Sequence, residues 1–417
     1  MKRILCFILV FVIAIFVSGC EFDFYEEFSD FNVSEIIEVA ESQITLPEVE
    51  YKPPYTEISY DDPFVYNTYY DSGYTALNEK QRSIYETLYL IALQMPLGYV
   101  RLCDIYDNYY SDTGIAYNAM INDHPDFFWM PYTYVIGEFT DVTGSYICIA
   151  FEINDKEHQN EYLVSEENRN IMRQQLNKKI EEIVSESSQY KGEYQKAEFF
   201  NNYLCDNTEY DEYADLCQTT YGCLINGKAL CEGYSRAFKL LCNQVGIRCD
   251  LIYGRSDNED HMWNCVNIGG YYSYTDVTWN DGGEEFRYIY FNITDSQLLV
   301  DRSVYPYFAD VAADSLGNSA LVNFVKHTCD YTGNSYYMKN GLVLNSNTTA
   351  KIAQKIMAQA QNGAYSIQIL ATEDILNRIN SGDTSDLSEI QKALRGVSIE
   401  EYSVVRDILT LFLKSFD

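Results

Sequence analysis

Gly269-Gly270, set between two alternating runs, restricts this chain more than any other feature. Asp260–Ile268 and Tyr271–Thr278 flank the pair, and two glycines accept the positive φ angles that a two-residue hairpin turn demands. With a turn that short, Ile268 faces Tyr271, and counting outward sets Trp263 opposite Asp276 and His261 opposite Thr278. Side chains alternate along strands, so His261 and Asp276 share one face as diagonal neighbours, about 7–8 Å apart at Cα. A three-residue connection would put them on opposite faces. An Asp so placed accepts a hydrogen bond from one imidazole nitrogen and leaves the other free to take a proton.

Upstream, GKALCEGYSRAF begins at Gly227 and places Cys231 just ahead of a helical pattern. Tyr234, Ala237, Phe238, Leu241, Cys242 and Val245 recur at helical spacing, and Gly246 is a natural stop. Cys231 therefore falls in the first turn, where free backbone N–H groups and the helix dipole favour the thiolate. The same N–H groups are candidates for an oxyanion hole. Gly227 and Gly233 are expected to leave room for a substrate to approach the backbone. Cysteine, histidine and aspartate in this order supply nucleophile, base and orienter for acyl transfer through a thiol. The chain has only four histidines, which makes the placement of His261 informative.

The run YGCLINGKALCEGYSRAFKLLCNQVGI, followed by HMWNCVNIGGYYSYTDVTWND, resembles the core of the transglutaminase-like superfamily, whose fold is related to papain. The helical stretch Tyr194–Leu204 and the following Asn207–Asp211 resemble its lead-in segment, so the likeness spans about residues 194–295. The resemblance implies an α+β fold in which a helix bearing the Cys packs on an antiparallel sheet bearing His and Asp. It also implies Cys231 as nucleophile, His261 as general base and acid, and Asp276 as the orienting carboxylate.

Other residues offer less. Trp263 shares the predicted active face and is a candidate wall of the site, as is Tyr234. Tyr221 and Tyr234 are candidates for an oxyanion hydroxyl, although 39 tyrosines dilute the significance of each. Asp257, Glu259 and Asp260 read as a solvated turn. His124, in Asp-His-Pro-Asp, reads as a loop or capping residue, and His158 and His327 as surface or packing residues. Cys205, Cys217 and Cys223 have no histidine at ligand spacing, so neither metal nor other cofactor is expected.

The ends bear on where the chain works. Lys2 and Arg3 precede an apolar run from Ile4 to Val17, too short for a comfortable span and typical of a secretory leader. Val17-Ser18-Gly19-Cys20 resembles the bacterial lipobox, which implies diacylation of Cys20 and anchoring on the outer face of the cytoplasmic membrane. The formal net charge of −33 repels nucleic acid and anionic lipid heads, so neither is an expected ligand. If Cys6 leaves with the leader and Cys20 is lipidated, the other cysteines are expected to be mostly buried thiols.

The expected organisation is a leader at 1–19, an acidic Tyr- and Pro-containing tether at 20–74, and an α+β unit at 75–190. The transglutaminase-like core follows at 191–305, with a C-terminal α/β accessory unit at 306–417. Leu77–Met95 and Ser165 to about Ser185 read as helices, Tyr132–Phe139 and Tyr146–Ile153 as strands. Beyond Tyr305, Tyr336–Leu344 and Tyr365–Leu370 read as strands, Thr349–Gln361, Glu373–Asn380 and Leu387–Leu394 as helices, and Asp407–Ser415 as a strand. The function expected is that of a cell-surface thiol enzyme acting on amide or peptide bonds of a protein or peptide substrate. Peptidase or amidase action is favoured slightly over cross-linking. The alternative is an inactive binding module for cell-surface protein or glycan.

Overall fold

Asn78 launches the first long helix: its side chain accepts from the Gln81 N–H at 3.1 Å while the Gln81 side chain accepts from the Asn78 N–H at 3.0 Å. This capping box opens α1 (Glu79–Gln94), which is followed by β1 (Val100–Asp104), α2 (Tyr109–Asp123), β2 (Tyr134–Asp141), β3 (Gly144–Phe151) and α3 (Glu166–Ser187). The three strands form an antiparallel sheet in the order β1-β3-β2. Asp141 pairs with Gly144, so the predicted six-residue linker between β2 and β3 shrinks to Val142-Thr143. The computed structural model describes residues 55–151 (without 62, 63, 68, 97 and 132), 165–311 (without 284) and 322–415. The leader, Cys20, most of the predicted tether and His158 lie outside them. Residues 55–74, expected to end the tether, hold to the body instead. Ser59 exchanges two 2.8 Å bonds with the Gln94 side chain, and the Phe64 ring sits among Tyr74, Tyr85, Tyr89 and His124.

The central part begins with α4 (Glu193–Asn207), β4 (Glu209–Tyr210) and β5 (Lys228–Ala229) and continues into α5 (Cys231–Gln244). Tyr234, Ala237, Phe238, Leu241 and Cys242 of α5 are fully buried, and Gly246 follows the helix at φ +85°. Next come β6 (Cys249–Ser256), β7 (Glu259–Ile268), β8 (Tyr271–Thr275), α6 (Val277–Asn280), β9 (Phe291–Ile293), α7 (Asp295–Leu298) and β10 (Arg302–Val304). The five strands form an antiparallel sheet in the order β10-β6-β7-β8-β9. Gly269 and Gly270 take φ of +65° and +85°, and Ile268 pairs with Tyr271 as the short turn requires. The ladder stops at Asn264–Thr275, so Asp276 is not a strand residue facing Trp263, nor does His261 pair with Thr278. Asp276 is instead the N-cap of α6, its side chain accepting from the Trp279 N–H, and this local bond takes the backbone out of the sheet.

The C-terminal part contains α8 (Tyr336–Lys339), β11 (Val343–Leu344), α9 (Thr349–Gln361), β12 (Ser366–Ala371), α10 (Glu373–Asn380), α11 (Ser385–Ala393), β13 (Val397–Val405) and β14 (Ile408–Ser415). The strands order as β11-β12-β14-β13, with only β11 and β12 parallel. The strand predicted over Tyr336–Leu344 is mostly a single helical turn. Lys339 N–H bonds Ser335 O at 3.0 Å, Asn340-Gly341 turns the chain with Gly341 at φ +63°, and only Val343 and Leu344 pair.

The β6–β8 strands separate two cores. Val266 and Ile268 point to α5 and join a core that reaches back to α1, α2 and α3. Trp263, Cys265 and Tyr274 point the other way and share a second core with Ile352, Ile367 and Leu409 of the C-terminal part. Each face of the sheet is thus covered, which is why β7 is buried from Met262 to Val266 and interrupts simple alternation of polarity.

Candidate active site

Cys231 is the first residue of α5, preceded by Leu230 in extended conformation. Leu230 N–H bonds Cys217 O at 2.9 Å, which ties the helix start to the preceding loop. The helical ladder begins with the Tyr234 N–H on Leu230 O, so the amides of Cys231, Glu232 and Gly233 lie ahead of it. Gly233 does not serve substrate approach as expected. A Cβ there would meet Cys217 O at 2.3 Å and the Ala229 Cβ at 2.9 Å, so the space is filled by the protein itself. Gly227 likewise takes φ +67° with Asn207 O beside it, a backbone requirement. Cys231 is half-buried and packs against Leu251, Tyr253 and Met262, with Tyr305 alongside.

His261 enters from the start of β7, opposite Gly254 of β6. Its Nε2 donates to Asp276 Oδ2 at 2.8 Å, and its ring also meets the Cys231 side chain, for which Nδ1 remains. Asp276 is buried and divides its oxygens: Oδ1 accepts from the Trp279 N–H at 3.2 Å, while Oδ2 receives His261. Burial works against a charged imidazole, but the Asp276 carboxylate and the Cys231 side chain outweigh it and hold His261 up at about 10. Burial would raise Asp276, yet His261 and Arg302 keep it down at about 2. At neutral pH the pair is therefore imidazolium and carboxylate, with the His261 proton beside the Cys231 sulfur.

Arg302 is the residue that sequence reasoning missed. From β10 its Nη2 and Nε donate to Asp276 Oδ2 at 2.7 and 3.2 Å, and its Nη1 donates to Asp301 at 2.7 Å. No local pattern announces it, because β10 joins β6 with Arg302 beside Ser256, a pairing set by the whole sheet. Tyr210 of β4 was also not singled out; it stands exposed within electrostatic reach of Cys231 and Glu259.

Two candidate wall residues prove to be interior. Trp263 is fully buried beneath His261, its ring centroid 5.8 Å from the imidazole, in a slot kept open by Gly254, where a Cβ would meet the indole at 2.3 Å. Tyr234 is fully buried, its hydroxyl 3.0 Å from Thr208 O and 2.5 Å from Asp281, so it neither walls the site nor lends an oxyanion hydroxyl. Tyr221 is taken by Gln175 at 2.6 Å. Asp257 and Asn258 form the β6–β7 turn at positive φ, with Glu259 and Asp260 opening β7. His124 caps the end of α2, with its Nε2 at 3.0 Å from the Tyr85 hydroxyl. His327 has partners that sequence did not reveal: Asp250 at 2.9 Å and the Tyr272 ring stacked at 3.6 Å.

Ten free cysteines are described, and all but Cys103 and Cys231 are buried. Burial pushes Cys103 up to about 11. Among the described residues no group of three or more His, Cys, Asp or Glu could hold a metal ion.

Residues 180–284 match the family model of the transglutaminase-like superfamily. No curated protein matches the chain. Two solved structures that match are a TGase, at 19% identity over 34% of this chain and 43% of that one with a TM-score of 0.25, and a Cytophaga hutchinsonii protein assigned provisionally as a cysteine protease. The second is 14% identical over 35% of this chain and 64% of its own, with a TM-score of 0.23. The chain spans less than two thirds of the length of either.

Proposed function

On a chain that carries a transglutaminase-like domain at residues 180–284, we propose a cysteine-dependent enzyme that opens amide or peptide bonds through a thioester. The observation that carries the proposal is the single imidazole of His261 set between the half-buried Cys231 at a helix start and the buried Asp276 carboxylate. The Cys231 thiolate, its proton held on His261, attacks the carbonyl carbon, and the oxyanion develops near the amides ahead of the α5 ladder. The C–N bond then breaks as His261 delivers its proton to the leaving amine, giving a thioester and a neutral imidazole. In the second half, water or a primary amine gives its proton to His261 and attacks the thioester, returning the thiolate–imidazolium pair. Water yields a peptidase or amidase; an amine yields a transferase.

We favour hydrolysis of protein or peptide substrates slightly over cross-linking. The support is the leader and lipobox-like Cys20, which would set the enzyme on the outer face of the cytoplasmic membrane among such substrates. Peptide mixtures incubated with the protein, with and without a primary amine, test the reading by mass spectrometry against Cys231→Ala. Shorter peptides from the wild type alone support a peptidase, and amine incorporation with loss of ammonia supports a transferase. Identical products from both proteins would remove the enzymatic reading.

A further inference from the structure

Asp276 poses an electrostatic problem that His261 alone does not solve. The carboxylate is 1% exposed, and an ionised group so deep is costly unless opposite charge and hydrogen bonds surround it. His261 supplies one donor, and it must release its proton during the proposed reaction. At that moment a second, permanent charge is needed to keep Asp276 ionised and in place.

Arg302 meets that need. Its side chain is fully buried, its Nε and Nη2 both reach Asp276 Oδ2, and the guanidinium lies 3.9 Å from the Tyr290 ring centroid and 5.0 Å from that of Trp279. Its remaining contact, Nη1 to Asp301, pins the other end of the fork. Asp301 is itself held, receiving the Tyr290 hydroxyl at 2.9 Å. On its far side stands Arg406, from the tip of the β13–β14 hairpin, with Nε 3.8 Å from Asp301 and its guanidinium 4.9 Å from the Tyr290 centroid. The Arg406 side chain is 7% exposed, and its three guanidinium nitrogens have no hydrogen-bond partner among the described residues. Asp301 is the carboxylate within ion-pair distance of it. The tip is docked further by Gln297 of α7, which donates to Asp407 at 3.0 Å.

We propose that Arg302 is the positioning residue of the Cys231 site, fixing the Asp276 carboxylate against His261. Arg406 of the C-terminal hairpin serves the same end by holding Asp301 on Arg302. Charges thus alternate from His261 through Asp276, Arg302 and Asp301 to Arg406, and the C-terminal part contributes to the site without touching a substrate. The inference rests on the reading of Cys231, His261 and Asp276 as the reacting set.

The titratable groups facing His261 are Cys231 from α5 and Asp276 from the β8–α6 junction; Asp276 also faces Arg302 from β10, and Arg302 faces Tyr290 and Asp301. Removing the guanidinium leaves the Asp276 charge undivided on the imidazolium, so His261 keeps its proton to higher pH. Carboxymethylation of Cys231 by chloroacetate reads this directly, because the anion is drawn by the imidazolium and the rate falls when His261 deprotonates. With Arg302→Met that high-pH limb moves up by about half a pH unit or more, while Arg302→Lys leaves it nearer its place. On a peptide that the wild type turns over, Arg302→Met lowers kcat roughly tenfold or more with KM within about twofold. Arg406→Met moves the limb the same way by less, and it decides the matter if circular dichroism finds Arg302→Met unfolded. A reactive wild type whose Arg variants keep the same limb and kcat overturns this proposal alone. A wild type with neither fast Cys231 labelling nor turnover overturns the reading of the site and this proposal with it.

Discussion

Asp276 does two jobs with two oxygens, one capping α6 and the other receiving His261 and Arg302. Asp276→Asn separates them. The amide oxygen keeps the cap if it takes the Oδ1 position, but the NH₂ group then faces two donors and the imidazole loses its acceptor. We expect kcat to fall by about 10²–10⁴-fold with the protein still folded, measured as peptide turnover beside a circular dichroism spectrum. The acid stability changes too. Asp276 is depressed in the fold, so its ionic contribution is full above the ordinary carboxylate range and is lost as pH falls through about 2. At this scale Cys231, His261 and Asp276 were legible because one helix start, one hairpin and the residue just past its ladder carry all three. Arg302 was not, because its partner strand lies far upstream and no turn joins the two. Tyr234 misled for a related reason: helical spacing tells that a residue is buried but not which neighbour its hydroxyl meets.

Among the elements, α5 and the loop before it fit closely at the site. Cys217 carbonyl oxygen lies where a side chain on residue 233 would begin, so Gly233→Ala must move either the loop or the first turn of α5. The expected cost is about 1–3 kcal/mol in chemical denaturation, with slower labelling of Cys231 as the helix start shifts. An unchanged midpoint and unchanged labelling would show that the loop yields freely. The β7–β8 hairpin was readable from Gly269-Gly270 alone, register included, since a two-residue turn leaves no freedom in pairing. Its far end was not readable, because Asp276 binds the Trp279 amide in preference to continuing the ladder. The turn of α8 escaped notice for a similar reason: Tyr336 and Tyr337 suit strands, but stacking of Tyr336 on Tyr288 at 3.6 Å favours where the helical turn puts it.

In the whole molecule, the described residues belong to one compact unit, and the boundaries expected near 190 and 305 cross continuous cores. Composition shifts mark where elements change, not which sheet face a later segment will cover. Deleting 345–417 would bare the side of the sheet carrying Trp263, Cys265 and Tyr274 and would remove Arg406. We expect the truncated protein to bind a hydrophobic dye and to lose its cooperative thermal transition; a sharp transition in it would show that the part before residue 345 folds without the C-terminal part.

The distribution of thiols has a practical side. With eight of the ten described cysteines buried and Cys103 held protonated by burial, the fold acts as a protecting group for all but one of the described thiols. A single equivalent of a fluorescent haloacetamide should therefore mark the native protein at Cys231, confirmed by peptide mapping. Any peptide, amine or surface polymer that covers Cys231 would then announce itself by slowing the dye, so occupants can be sought before a product has been seen.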